Sequence, residues 1–196
     1  MKNFKAKISF SNALKSFTDE KFSVVIDVSN LGDSDRRKVM LAVDHWIKTF
    51  NSPEFETFIK NYTWTETTCK GWFRWKTCQS FIRQTFTFAE NYLRGEVYDI
   101  LIGGKEALGD GSIDHTAQVY LKIDERNRRG IVGYTTADTK WQWIYRWAFD
   151  SFTIEEIANN LAHEYCHKCG FEDSSYALSR HAVTYAVGEF VGNFRD

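Results

Sequence analysis

The sequence predicts one domain of the α+β class. Its 196 residues are the length of a single domain, or of one domain with two lobes. Short segments rich in β-branched or alternating apolar residues predict strands, and they occur between longer segments with helical caps and helical spacing of apolar residues. Hydrophobic residues make up 43% of the chain and aromatic residues 16%, which is enough to fill a sizeable core.

The first part of the chain predicts a strand followed by three helices, over residues 22–28, 33–50, 53–61 and 79–93. Asp33 or Ser34 can cap the first of these helices. The second begins at Pro53, directly after the capping residue Ser52. Residues 62–77 are polar and aromatic without a clear period, and they predict a loop.

The middle of the chain predicts four strands, over residues 97–102, 116–123, 130–135 and 141–149. In the last of them every second residue is aromatic: Trp141, Trp143, Tyr145, Trp147 and Phe149. The alternation indicates a strand with one aromatic face. We interpret this face as core packing against a helix rather than as a platform for a ligand.

The clearest helical pattern covers residues 153–169. Thr153 and Glu156 have the spacing of a capping box. The apolar stripe of this helix consists of Ile154, Ile157, Ala158, Leu161 and Tyr165. Gly170 is placed to end the helix in a left-handed conformation. A loop and a last helix, over residues 181–194, are expected to follow.

The charge balance gives no sign of a nucleic-acid or membrane partner. The net charge is −1, so no long-range field attracts nucleic acid or an anionic membrane. No apolar run approaches the roughly 18 residues that a membrane span needs. The N-terminus is basic but has no apolar stretch of signal-peptide length. The simplest expectation is a cytoplasmic protein, although a secreted protein without its leader would have the same sequence.

The four cysteines form two local pairs. Cys69 and Cys78 could bridge a loop in an oxidising compartment, or remain free. Cys166 and Cys169 have the spacing of a redox or zinc pair. We favour packing on the helix for this second pair, because it lies off the face that carries the histidines.

Residues 163–167 read His-Glu-Tyr-Cys-His, and this spacing has a direct chemical meaning. Two histidines four residues apart on a helix lie on one face, where they can bind a single zinc ion. Glu164, next to the first histidine, can reach a water at that ion without binding the metal. His163 and His167 also lie away from the apolar stripe, which favours a metal site over a hydrogen-bonded pair.

The segment 163–173 resembles the extended zinc signature of metzincin-type metallopeptidases. That signature is His-Glu-x-x-His-x-x-Gly-x-x-His, with Asp in the last place in the snapalysin-like branch. The resemblance implies that His163, His167 and Asp173 are the zinc ligands, and that Gly170 forms the turn between the second and third ligands. From chain reach alone, a neighbouring glutamate or histidine, Glu172 or His181, could replace Asp173.

The resemblance also implies a fold and a catalytic base. By this resemblance the chain would be a zincin-like domain. Its upper lobe, about residues 1–170, would carry the active-site helix on a twisted sheet. A short lower lobe, about residues 171–196, would supply the third ligand. Glu164 would act as the general base and acid. The close likeness covers residues 130–192, while the first 90 or so residues carry no familiar motif.

One feature of metzincins is missing from this sequence. These enzymes have a methionine in a tight turn below the metal, whereas this chain has only Met1 and Met40, both far upstream. Residues 184–186 are expected in the equivalent place. Tyr185 is either a core aromatic residue or a hydroxyl donor that stabilises the oxyanion.

The sequence therefore predicts a Zn²⁺-dependent metallopeptidase that acts on a peptide or protein. Its substrate would lie extended along an edge strand, for which residues 116–123 and 130–135 are the candidates. Two alternatives come from other classes. One is a non-catalytic binding module or phage-associated protein with a structural zinc, which would need four protein ligands. The other is a zinc hydrolase that acts on a non-peptide substrate.

Overall fold

A computed structural model shows that the chain is a mixed α+β protein. The structure describes residues 14–17, 21–70, 77–104, 113–126, 128, 130–136, 141–173 and 179–195. Within these ranges the strands are β1 (Leu14–Phe17), β2 (Ser23–Asp27), β3 (Trp64–Lys70), β4 (Thr77–Arg83), β5 (Thr116–Asp124), β6 (Gly133–Thr135) and β7 (Trp141–Tyr145). The α-helices are α1 (Asp33–Asn51), α2 (Pro53–Lys60), α3 (Arg94–Gly103), α4 (Arg146–Ser151), α5 (Ile154–Lys168) and α6 (Val183–Asn193), and a 3-10 helix spans Ser179–His181.

Five strands form a mixed sheet in the order β1-β2-β5-β7-β6. The three inner strands are parallel, and the outer strands β1 and β6 are antiparallel to their neighbours. Since β5 lies between β2 and β7, both of its edges are hydrogen-bonded. Among the described residues β6 pairs only with β7, so β6 is an edge strand.

The core lies between this sheet and the helices. Alternate residues of the inner strands are buried, such as Val24 and Ile26 of β2. Phe22 packs against Trp46 of α1 and Tyr165 of α5, with ring centroids 5.8 and 5.9 Å away. Helix α5 contacts α1 on one side and α6 on another. The helix that carries the histidines is therefore held by the main hydrophobic core.

Four predicted helices are confirmed as α1, α2, α5 and α6. The Ser52 hydroxyl accepts a hydrogen bond from the backbone N–H of Phe55 (3.1 Å), as expected of a residue that caps α2. The cap of α1 is Gly32, so Asp33 and Ser34 lie inside the first turn instead of before it. The strands over residues 22–28, 116–123 and 130–135 are also confirmed, with the shorter or longer bounds given above.

Residues 97–102 form part of α3, so the predicted strand is wrong. The buried residues Val97, Tyr98, Leu101 and Ile102 are spaced as on one face of a helix. A short apolar run does not distinguish a buried helix from a buried strand. Helix α3 ends at Gly103 and is capped by Gly104, whose φ of +72° is the left-handed conformation that glycine adopts readily.

The predicted loop at 62–77 and helix at 79–93 are wrong where the structure describes them: residues 64–70 and 77–83 are the paired strands of a β-hairpin, and no helix spans 84–93, while residues 71–76 lie outside the described ranges. Strand β3 pairs with β4 along its whole length, from Trp64 opposite Arg83 to Lys70 opposite Thr77. All seven residues of β4 are exposed, so this strand has no buried face. Since hydrophobic periodicity arises from burial of one face, the hairpin leaves no such pattern in the sequence. A disulfide joins the strands at Cys69 and Cys78.

The aromatic face predicted over residues 141–149 is only partly in the core. Trp141 and Trp143 are half-buried, while the residues between them, Gln142 and Ile144, face the core. Strand β7 ends at Tyr145, and α4 begins at the next residue, so the alternation of aromatic residues does not continue as a strand. The interpretation as core packing is therefore wrong for the two tryptophans.

None of the helices in the described ranges combines the length and the apolar character needed to cross a membrane.

Candidate metal centre

Helix α5 carries three of the predicted site residues, and its start is well defined. The backbone N–H of Thr153 donates to Glu156 Oε2 (2.8 Å), and the backbone N–H of Glu156 donates to Thr153 Oγ1 (3.2 Å), which confirms the capping box. On the core side, the Tyr165 hydroxyl donates to the carbonyl oxygen of Leu101 (2.8 Å). This face fixes the rotation of the helix, so the opposite face presents His163 and His167.

His163, His167 and Asp173 come together as predicted. The Oδ2 atom of Asp173 is 3.2 Å from His163 Nε2 and 3.6 Å from His167 Nε2. One donor atom from each residue lies within 4.8 Å of the other two. Gly170, with a φ of +89°, makes the turn that brings Asp173 back to the helix.

This donor set fits a zinc ion. Imidazole nitrogen and carboxylate oxygen are both ordinary zinc ligands. Two donor atoms that are each about 2.0–2.2 Å from a tetrahedral zinc ion are about 3.3–3.6 Å from each other. The two distances from Asp173 Oδ2, 3.2 and 3.6 Å, are close to this range. Each of the three side chains is half-buried, so the site is protected but accessible.

Contacts behind the donor atoms orient two of them. His167 Nδ1 lies 2.9 Å from the carbonyl oxygen of Phe171, which leaves Nε2 directed at Asp173. The Thr184 hydroxyl of α6 donates to Asp173 Oδ2 (3.5 Å). Burial lowers the pKa of His167, and the hydrogen bond with His163 lowers the pKa of Asp173. Both shifts favour the unprotonated forms that bind a metal.

Glu164 lies beside the donor group without belonging to it. Only 4% of its surface is exposed, and its Oε2 atom has no hydrogen-bond partner. Burial raises the pKa of Glu164 to about 7. The positive charge of a bound cation would shift this pKa back down. A buried carboxylate with a free oxygen next to three metal donors is the arrangement that a general base needs.

Two other residues considered from the sequence have different surroundings. His181 Nδ1 is 3.0 Å from the Tyr62 hydroxyl, and its ring stacks on Trp64 at a centroid distance of 4.3 Å. His181 is not a member of the metal donor group. Tyr185 is 37% exposed, and its ring lies edge-on to His163 at 4.7 Å. Its side chain is therefore at the site rather than in the core.

The second cysteine pair does not contribute donors. Cys166 is buried and Cys169 is half-buried, and neither forms a disulfide within the described residues. Burial raises the pKa of Cys166, which opposes the thiolate form that binds metals. Neither residue belongs to the donor group, as the packing interpretation expects.

Sequence reasoning missed the supports of the site. The Phe171 carbonyl leaves no sequence signal, because every residue has one. Gly188 could have been found, since Gly188 and Gly192 are four residues apart in the predicted last helix, a spacing typical of close helix contact. In the structure a Cβ atom on Gly188 would lie 2.6 Å from Asn159 Oδ1 and 3.3 Å from His163 Cβ.

Comparison of the chain with protein-family models, with curated proteins and with solved structures gives no match.

Proposed function

We propose that the protein is a zinc-dependent metallopeptidase of the zincin type. One observation carries the proposal: three nitrogen and oxygen donors lie together beside a buried carboxylate with an unpartnered oxygen. Catalytic zinc sites have three protein ligands, whereas structural sites have four. Among the described residues only three donors gather here, which favours an enzyme over a structural zinc site.

His163, His167 and Asp173 would hold the ion. When bound, zinc supplies Lewis acidity, which polarises a carbonyl group and lowers the pKa of water. The protein positions the three donor atoms. The helical spacing of the histidines, the turn at Gly170 and the contacts of Phe171 and Thr184 hold them in place.

Glu164 moves the proton in this mechanism. Its unpartnered Oε2 accepts a proton from the water that attacks the scissile carbonyl, and later passes that proton to the leaving amine. Tyr185, beside His163 and partly exposed, can donate its hydroxyl hydrogen to the developing oxyanion. Burial raises the pKa of Tyr185, which keeps this hydrogen in place at neutral pH.

The substrate would pair with β6. Of the two candidate strands, β5 lies inside the sheet and has no free edge. Strand β6 is at the edge and packs against α5. An extended peptide added to β6 would thus run close to Glu164. In the zincin-like arrangement proposed here, residues up to about 170 form the upper lobe and residues 171–196 the lower lobe.

The hairpin disulfide favours a secreted or otherwise oxidising location over the cytoplasm. Cytosolic thiols are kept reduced, whereas exposed disulfides persist outside the cytosol. Cys69 and Cys78 are both exposed, so the bond would be open to cellular reductants.

The test is cleavage of a broad peptide library and of unfolded proteins by the wild type and by Glu164→Gln. The variant should keep its zinc but cleave about 10²–10⁴-fold more slowly, because glutamine cannot accept the proton. Glu172→Gln is the matched control, since Glu172 is exposed and outside the donor group. Equal cleavage by wild type and Glu164→Gln would refute the mechanism. Zinc-loaded wild type that cleaves nothing would contradict the peptidase assignment.

A further inference from the structure

Lys168, the last residue of α5, is a buried lysine without a role in the proposed mechanism. Only 5% of its surface is exposed. Burial of an ammonium group is costly unless the group is hydrogen-bonded. The Lys168 Nζ atom donates to the carbonyl oxygen of Thr136, at 3.1 Å. Thr136 directly follows β6, so this bond joins the end of the active-site helix to the end of the edge strand.

The other end of β6 also lies against α5. At Gly133, the first residue of the strand, a Cβ atom would lie 2.7 Å from Asn160 Oδ1, so the strand approaches α5 closely. From Asn160 to Lys168 the helix rises about 12 Å. From Gly133 to Thr136 an extended chain covers about 10 Å. The strand therefore runs along two turns of α5.

Glu164 lies midway between these two contacts. It is four residues after Asn160 and four before Lys168, so all three residues lie on one side of the helix. Strand β6 has only three residues, and within the described chain its pairing is limited to β7. Such a short edge strand opens easily unless other contacts hold it.

We propose that Lys168 is a positioning residue that fixes β6 against α5 and so presents the strand edge that binds an extended peptide. The proposal rests on the proposed function for the identity of the ligand. It assigns to Lys168 no contact with the metal or with the reacting atoms. The positive charge is suited to this position because it makes a stronger hydrogen bond to a carbonyl oxygen than a neutral donor does.

The direct test is amide hydrogen exchange of β6 in Lys168→Met, which keeps the length of the side chain but not the donor. We expect exchange of the β6 amides to be about 10- to 100-fold faster than in the wild type, with zinc content and helical circular dichroism unchanged. Lys48→Met, at an exposed lysine of α1, is the control and should leave β6 unaffected. Lys168→Arg keeps a long donor and should restore most of the protection. Should Lys168→Met not fold, Lys168→Gln takes its place, since its shorter side chain does not reach Thr136.

Unchanged exchange of β6 in the donor-deficient variant would overturn the proposal, whatever the kinetics. With a peptide that extends on both sides of the scissile bond, Lys168→Met should raise KM about tenfold and change kcat less than about threefold. A fall in kcat at constant KM would also contradict a positioning role. If the wild type hydrolyses no peptide, the proposed function fails, while the exchange experiment still decides whether Lys168 holds β6.

Discussion

Each residue of the candidate site is held in place by a different physical means. Helical spacing places His163 and His167 on one face, and their Nε2 atoms lie 3.2 and 3.6 Å from Asp173 Oδ2. The left-handed turn at Gly170 returns Asp173 to that face. Glu164 owes its properties to burial, which leaves one carboxylate oxygen without a partner. The chemistry of the site can therefore be tested one residue at a time.

Asp173→Ala should remove the third zinc ligand. We expect zinc affinity to fall by at least about 100-fold, since loss even of a hydrogen-bonded neighbour of a ligand costs 10- to 100-fold. His181→Ala is the matched control. His181 contacts the Tyr62 hydroxyl and stacks on Trp64, so its replacement should leave zinc affinity unchanged. Competition with a chromophoric chelator measures the zinc affinity of both variants. A larger loss in His181→Ala than in Asp173→Ala would reverse the ligand assignment.

Glu164→Gln should stabilise the metal-free protein at alkaline pH. The pKa of Glu164 is raised by burial from 4.5 in the unfolded chain to about 7 in the folded protein. The folded state therefore binds this proton more tightly. The resulting stability is full below pH 4.5 and is lost as the pH rises through about 7. Glutamine stays neutral, so the variant should be about 1–3 kcal/mol more stable than the wild type at pH 8.

Urea denaturation in the presence of a chelator, at pH 5 and at pH 8, measures this effect. The difference between variant and wild type should grow with pH. If the difference in free energy of unfolding between variant and wild type were the same at both pH values, the pKa of Glu164 would not be raised in the folded protein.

The metal donors could be predicted from the sequence, but their orienting contacts could not. His163 and His167 lie on a helix with a recognisable cap, so helical spacing placed them on one face, and the resemblance to the zinc signature supplied Asp173 after the turn at Gly170. The hydrogen bonds from Thr184 and to the Phe171 carbonyl depend on how the chain folds back on itself. His181 was a candidate by chain reach, and only the structure shows that it contacts Tyr62 and Trp64 and is outside the donor group.

At the scale of elements, the contact between α5 and α6 links the site to the end of the chain. Gly188 allows the two helices to approach, and α6 then brings Thr184 to Asp173 and Tyr185 to His163. The same helix adds Val183, Val187 and Val191 to the hydrophobic core. Any change in the distance between these helices should therefore change the geometry of the candidate metal site.

Gly188→Ala should push α6 away from α5. Its new methyl group would lie 3.2 Å from the backbone oxygen of Asn159 and 3.3 Å from His163 Cβ, which cannot move aside as the Asn159 side chain can, so we expect a loss of about 1–3 kcal/mol in stability and weaker zinc binding. Gly95→Ala is the control, because Gly95 is also helical but has no atom within 4 Å of the added Cβ. It should stabilise the protein by up to about 1 kcal/mol. Thermal unfolding and zinc titration of both variants distinguish the two cases, and a neutral Gly188→Ala would contradict the close packing.

The β3–β4 hairpin should depend on its disulfide, whereas the metal site should not. A two-stranded hairpin without a buried face is marginally stable by itself. In the double variant Cys69→Ser, Cys78→Ser, we expect faster amide exchange in β3 and β4 with unchanged zinc content. Cys166→Ser is the contrasting change, because it places a hydroxyl in the core and should cost about 1–3 kcal/mol of global stability. Loss of zinc in the double variant would show that the hairpin supports the site.

The predictability of each element follows from how much of it is buried. Helices α1 and α5 have a core-facing stripe and end signals, and both were predicted within a few residues. The hairpin strands have almost no buried side chains, so their apolar residues follow neither the helical period of about 3.6 residues nor the strand period of 2. These residues were therefore assigned to a loop and a helix. Helix α3 was mistaken for a strand because its apolar run, Val97 to Ile102, is too short to reveal a period.

At the scale of the whole molecule, one core serves both the fold and the site. Tyr165 shows this directly, since it packs against Phe22 and Trp46, while His163 and His167, two residues away on either side, lie on the opposite face of α5. The sheet ends in β6, which contacts α5, so the proposed substrate edge lies close to the helix that carries Glu164. The α+β class was predictable from the alternation of patterns, whereas the strand order required long-range pairing that local sequence does not encode.

A crystal structure of the zinc-loaded protein would show which side chains bind the ion. It should show one zinc per chain with three protein ligands: His163 Nε2, His167 Nε2 and a carboxylate oxygen of Asp173, each about 2.0–2.2 Å from the ion. Glu164 should lie beside the ion without binding it. A fourth protein ligand, or zinc bound by His181 in place of Asp173, would contradict the proposed catalytic site, and the absence of bound zinc at saturating concentration would contradict the account as a whole.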